Sequence, residues 1–156
     1  RDLHSFPTDA LRSRSKIESI NAGGGINIKY FTDDDLDITV VEILAEDNIH
    51  EIYFLEPELE DINDSIKNSQ IYIPQYAKGK KLTNSRGVIK EIDKYQFSHL
   101  ANTEKGSSGS PVFLKDSIKV IGIHKEGKKD NTENYANFIY PAINIIKQDI
   151  MQKKKK

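Results

Sequence analysis

The chain reads as an all-β protein, an antiparallel barrel or sandwich closed by one C-terminal helix. Three observations carry that reading. Short runs rich in β-branched and aromatic residues recur along the 156 residues. Turn-forming clusters separate them, among them Lys78-Gly79-Lys80, Asn84-Ser85-Arg86-Gly87 and Asp93-Lys94. The period changes at Pro141, beyond which Ala142, Ile143, Ile146 and Ile150 fall at the offsets of one helical face.

Taken in order, the first 25 residues carry little pattern. Ala22-Gly23-Gly24-Gly25 reads as a flexible turn and does not fit a phosphate-binding loop. Asn27–Phe31 is a candidate strand, and Asp37–Leu44, opening Asp-Ile-Thr-Val-Val, reads as a buried one. Ile52–Leu55 is another short apolar run. From Glu56 to Asn68 the chain turns acidic and polar, as a solvated connector does. Strand candidates resume at Ile71–Ile73, Gly87–Ile92, Tyr95–Leu100, Pro111–Leu114, Ile118–His124 and Tyr135–Ile139. Pro141 suits the first turn of the closing helix, where a missing N–H costs little. No internal repeat is present. The expected organisation is a first-barrel remnant over 1–56, a connector over 57–70, a second barrel over 71–140, and a helix with a basic tail over 141–156.

Composition narrows the function classes. With 37% hydrophobic and 30% charged residues the chain has the make-up of a water-soluble domain, and its length can bury one ordinary core. A formal net charge of −1 argues against a broad nucleic-acid surface. The cluster Lys153–Lys156 reads as a solvated tail. No apolar run approaches the ~18 residues of a membrane span. There are no cysteines, which excludes disulfides and thiolate metal sites and leaves both a cytoplasmic and a secreted bacterial-type location open. No signal peptide is recognisable, and Arg1 in place of Met suggests that an upstream segment has been removed.

The most informative stretch is Gly106-Ser107-Ser108-Gly109-Ser110-Pro111-Val112-Phe113. A serine hydroxyl is a weak nucleophile until a base takes its proton and donors await the oxyanion. Small residues around Ser108 permit a tight bend that can aim the amides of Gly106 and Ser108 at one point. The segment leads into a strand and, after a turn, into Val120-Ile121-Gly122-Ile123-His124. This block resembles the chymotrypsin-fold serine peptidases, and within them the glutamyl endopeptidases. Ser107 departs from their asparagine. The resemblance covers Thr103 to about Ile150 well and Asp37–Leu44 more weakly.

The resemblance implies a double-barrel fold and a serine endopeptidase acting through an acyl-enzyme on a protein or peptide. Ser108 would be the nucleophile, the amides of Gly106 and Ser108 the oxyanion hole, and Asp37 the carboxylate that orients a histidine. No cofactor or metal is implied, nor a nucleic-acid or membrane partner. Thr103 and His124 fall where the glutamyl endopeptidases line the pocket for an acidic side chain. There a hydroxyl and an imidazolium would favour cleavage after Glu or Asp. The histidine base is the gap. His4 alone precedes Asp37, and its surroundings do not match the family motif; His50, His99 and His124 follow Asp37. Two readings stay open: a peptidase whose base lies in an upstream segment, or a catalytically silent protease-like domain that binds a peptide or protein.

Overall fold

Strand-forming residues organise two separate sheets in the computed structural model, which describes residues 16–21, 27–62, 65–128 and 132–153. These residues fall into two compact units. One is drawn from Arg1–Phe54 and Asn144–Lys156, the other from Leu55–Ile143. The candidate turn at Gly23–Gly25 and His4 lie outside the described residues, as do the last three lysines.

The first unit contains the antiparallel meander β1 (Lys16–Asn21), β2 (Asn27–Asp33) and β3 (Ile38–Val41). Lys16 pairs with Thr32 and Asn21 with Asn27, while Tyr30 pairs with Val41 and Asp33 with Ile38. Among its described residues, Phe31, Leu36 and Ile38 are buried and apolar. The buried strand expected over Asp37–Leu44 is shorter and more exposed than its composition suggests. Only Ile38 of β3 is buried, and Val41 and Ile43 are each more than half exposed. Side-chain burial on a strand is set by what packs on its face, and β-branched composition alone does not supply it. The run Ile52–Leu55 is not a strand; Glu51–Tyr53 form a 3-10 turn with Ile52 and Tyr53 exposed.

The second unit is a closed barrel of six antiparallel strands. They are β4 (Gln70–Gln75), β5 (Thr83–Ile92), β6 (Gln96–His99), β7 (Pro111–Leu114), β8 (Val120–Gly127) and β9 (Asn134–Phe138). Their order around the barrel is β4-β5-β6-β9-β8-β7. Closure comes from β4 against β7, with Ile71 opposite Leu114 and Tyr72 opposite Phe113, whose rings stack at 4.9 Å. Asn84-Ser85-Arg86-Gly87 is not a turn but part of β5, because its backbone pairs residue for residue with β4. Cross-strand hydrogen bonding outweighs the local turn preference of Asn, Ser and Gly.

Alternation builds the core of this barrel. Ile71, Ile73, Ile89, Phe97, Val112, Ile121, Ala136 and Phe138 point inward and form one buried cluster with Ile66, Ala101 and Tyr140. Gly122 of β8 leaves room for that packing: a Cβ there would lie 2.9 Å from the Phe97 ring and 2.6 Å from the Asn137 carbonyl oxygen. The acidic segment docks on the barrel at both ends, through Ile66 in the core and the Asn68 amide on the Ile89 carbonyl at one end, and through Val120 at the other. Val120 exchanges backbone hydrogen bonds with Glu56 and Glu58, each at 2.8 Å, and bridges to Pro57.

Helix α1 (Tyr140–Lys153) closes the chain and begins one residue before Pro141. Ala142 is buried, and Ile143 and Ile146 are half-buried, as the apolar face requires. The expected all-β body with a C-terminal helix is therefore present, as one complete barrel and one partial sheet. No described helix is long and apolar enough to cross a membrane.

Candidate active site

The Gly106–Ser110 bend is built from local hydrogen bonds and two glycines. Gly106 (φ +94) and Gly109 (φ +86) occupy backbone angles that side chains rarely adopt, which allows two turns within five residues. Ser107 lies between them, fully buried. Its amide donates to the Glu104 carbonyl at 2.9 Å, and its Oγ accepts the Glu104 amide at 3.2 Å. The smaller serine at this position therefore cross-links the bend from inside. Ser107→Ala is expected to lose about 1 kcal/mol of barrel stability, because the Glu104 amide loses the acceptor that the buried Ser107 hydroxyl provides. Urea unfolding with an unchanged m-value checks it.

Strand β8 anchors the other side. The Gly109 amide donates to the His124 carbonyl and the His124 amide to the Ser110 carbonyl, each at 2.8 Å. Lys78 adds a third tie, its amide donating to the Lys105 carbonyl at 2.8 Å. Ser108 is exposed at the apex. Its hydroxyl donates to the Lys125 carbonyl at 2.8 Å. Among the described residues, the backbone amides of Gly106 and Ser108 enter no hydrogen bond.

Thr103 is half-buried on the approach to the bend. The chain just before it is pinned from two sides, by Gln75 Nε2 donating to the Asn102 carbonyl (3.0 Å) and Asn134 Nδ2 to the Ala101 carbonyl (2.8 Å). No hydrogen bond joins Thr103 to His124 among the described residues. The Lys125 ammonium lies 4.0 Å from the Glu126 carboxylate, so these neighbouring charges offset one another.

His124 is a buried residue of β8. It is 3% exposed, and its Nδ1 lies 3.3 Å from Nε2 of His99, which is wholly buried at the end of β6. The rings meet edge to face, with centroids 5.4 Å apart. Burial, and then the neighbouring His124 ring, pull the His99 imidazole down to about 4. Burial also holds His124 below the ordinary histidine value of 6.5, against a hydrogen bond to the Tyr135 backbone that favours the charged ring. Charging the His99 ring would put an ion beside the Phe97 ring. Both rings are therefore neutral at neutral pH.

His99 escaped sequence reasoning, although a signal was present: it lies two residues beyond the inward-facing Phe97 and so on the same face of its strand.

Asp37 is exposed in the turn before β3, with φ at 48°. Its neighbour Asp33 is the buried carboxylate of this turn, and its Oδ1 accepts the Leu36 amide at 2.9 Å. His50 is exposed and takes a local role, its Nδ1 accepting the Ile52 amide at 3.2 Å. Among the described residues no group of three or more metal-ligating side chains is present.

A family model described as Peptidase S39 matches residues 9–145. No curated protein matches the chain. Among solved structures, an inactive form of the Rv3671c protease superposes with a TM-score of 0.54 at 14% identity, over 83% of this chain and 70% of that one. The active form of Rv3671c from M. tuberculosis gives 0.53 at 15% identity, over 78% of this chain but 58% of that one. A Glu endopeptidase in complex with MPD gives 0.55 at 14% identity, over 87% and 71%. At these identities the likeness is one of fold.

Proposed function

The chain belongs to the Peptidase S39 family, and from that premise we propose that its barrel is a protease-like domain that binds a peptide or protein segment without cleaving it. The observation that carries this reading is the hydrogen bond from Ser108 Oγ to the Lys125 carbonyl at 2.8 Å. A backbone carbonyl accepts a hydrogen bond but is too weak a base to remove the proton. The hydroxyl so held is not a nucleophile. The two buried histidines nearest the bend in sequence and structure, His99 and His124, face each other. What remains is the recognition half of a peptidase: the bend, the Thr103 hydroxyl and the His124 ring. These suit a Glu-like side chain, which offers oxygen acceptors.

A second reading is favoured by a separate observation, the exposure of Ser108 together with two amides that enter no hydrogen bond among the described residues. In it Ser108 Oγ attacks the scissile carbonyl while its proton passes to a histidine that Asp37 orients. The amides of Gly106 and Ser108 hold the oxyanion. Collapse expels the amine, which takes that proton, and water then hydrolyses the ester. Rotation about one side-chain bond would release the hydroxyl from Lys125.

A fluorophosphonate probe separates the two readings. The binding reading expects labelling no greater than that of Ser108→Ala, together with saturable binding of peptides ending in Glu. Thr103→Val should weaken that binding about 5- to 10-fold, the worth of one hydrogen bond. Rapid labelling that disappears in Ser108→Ala would overturn it in favour of the peptidase.

A further inference from the structure

We propose that the loop joining β4 to β5 is a second contact surface beside the Ser108 bend, and that it takes an acidic segment of the peptide or protein held there. From Tyr76 to Leu82 the loop reads Tyr-Ala-Lys-Gly-Lys-Lys-Leu. That the ligand is a peptide rests on the binding reading of the bend; the charge it must carry is read from the loop.

The loop is fastened to the bend. The Lys78 amide donates to the Lys105 carbonyl at 2.8 Å, and the Lys78 ammonium lies 3.1 Å from the Glu104 carboxylate. A Cβ on Gly106 would lie 3.4 Å from the Gly79 nitrogen and 3.4 Å from the Tyr76 carbonyl oxygen, so loop and bend lie against each other two residues from Ser108. The loop is also held in a strained form. Lys78 has φ at 57°, an angle that lysine rarely adopts. Its amide and its ammonium are the two groups that tie it to the bend, so the strain is kept by the contacts that fix the loop in place.

Fixing the loop there gathers lysines beside the exposed apex. Lys78, Lys80, Lys81 and Lys105 are all exposed, as is Ser108. Glu104 offsets Lys78, and Glu126 offsets Lys125 on the β8 side. Lys80, Lys81 and Lys105 enter no ion pair among the described residues. Three uncompensated cations therefore stand by the bend, in a chain whose formal net charge is −1. Like charges so grouped repel one another, and their summed field favours an anion. The complementary ligand carries Asp or Glu next to the residue that the bend holds. Lysine is a point charge on a flexible stem, so it selects negative charge without demanding one fixed geometry. The loop thus reads acidity over several residues and not one exact sequence.

Fluorescence anisotropy with three labelled ligands tests this: a peptide with one central Glu flanked by Asp and Glu, the same peptide with Asn and Gln as flanks, and a single-stranded oligonucleotide of equal charge. The acidic-flanked peptide should bind about 10-fold more tightly than the neutral-flanked one at about 0.1 M salt, the combined worth of three exposed charge contacts. The gap should close at about 1 M salt, where the screening length is only about 3 Å. A chain carrying Lys80→Gln, Lys81→Gln and Lys105→Gln together should bind both peptides alike. Arginine at the same three positions should keep the preference. Equal binding of the two peptides by the unaltered chain, or a preference that survives the three glutamines, overturns the proposal. An oligonucleotide that binds as tightly as the acidic peptide also overturns it, since the patch would then read bare charge. Thr103→Val tells this apart from the reading of the bend. Weaker binding of the neutral-flanked peptide in Thr103→Val, with no acidic preference in the unaltered chain, keeps the bend and removes the loop. A lysine-dependent preference that ignores Thr103→Val keeps the loop and removes the pocket. Neither peptide binding the unaltered chain removes both.

Discussion

Acidification from pH 6.5 toward 4 is expected to cost the barrel unit about 3 kcal/mol of stability, most of it through His99. The folded ring takes up its proton only near 4, whereas in the unfolded chain it does so near 6.5. Between those values the unfolded state binds the extra proton, so stability is full above 6.5 and falls as the pH drops through the interval. The gap between the two values, at about 1.4 kcal/mol per pH unit, sets the size. His124 is lowered for the same main reason and acts in the same direction. Glu133 contributes in a different window. Hydrogen bonds from Ser98 and then Lys128 favour its ionised form, so its contribution is present above the ordinary carboxylate value of 4.5 and is lost below it. Urea midpoints measured across pH 6.5 to 4 check the forecast. His99→Gln should flatten the upper part of the curve, since it cannot take up the proton. A midpoint that stays level in the unaltered chain, or an equal decline in His99→Gln, would show that the buried pair is not what titrates.

Phe97→Ala is expected to destabilise the barrel by about 3–5 kcal/mol, the range for removing a buried aromatic ring. Phe97 is 1% exposed, stands 4.8 Å from the Phe138 ring, and fills the space that Gly122 leaves open. Closed β-strands on all sides restrict the relaxation that would otherwise refill the cavity. The His99 ring, 6.3 Å away, loses a wall of its apolar surroundings, so its proton uptake should move back toward the ordinary value. Phe54→Ala provides the contrast. That ring is 51% exposed, and its loss should stay within about 0.5 kcal/mol. Thermal and urea unfolding of the two variants side by side give the comparison. A Phe97→Ala protein as stable as Phe54→Ala would contradict the packing described.

Much of the barrel was legible because its strands are bounded by strong local signals. Pro111–Leu114 was readable to the residue, since Pro111 can begin a strand and Lys115-Asp116 turn out of it. The bend at Ser108 was readable because Gly106 and Gly109 open the positive-φ angles that two close turns need. The errors cluster where pairing overrides composition. Asn84–Gly87 carries turn residues but lies in β5 because β4 supplies a partner along its whole length. Ile52–Leu55 carries strand residues but has none.

What the sequence by itself determined is therefore the class of the fold, the position of the nucleophile-like bend and the closing helix, all of which follow from residues close together in the chain. Tertiary structure alone decided the state of His124. It is buried by the strands that barrel closure brings round it, against a ring 25 residues away in sequence. It also decided that the Ser108 proton rests on the Lys125 carbonyl, 17 residues on. The reason is physical: backbone turns are governed by sterics within a few bonds, whereas desolvation and hydrogen-bond partnership depend on which distant strands are folded alongside.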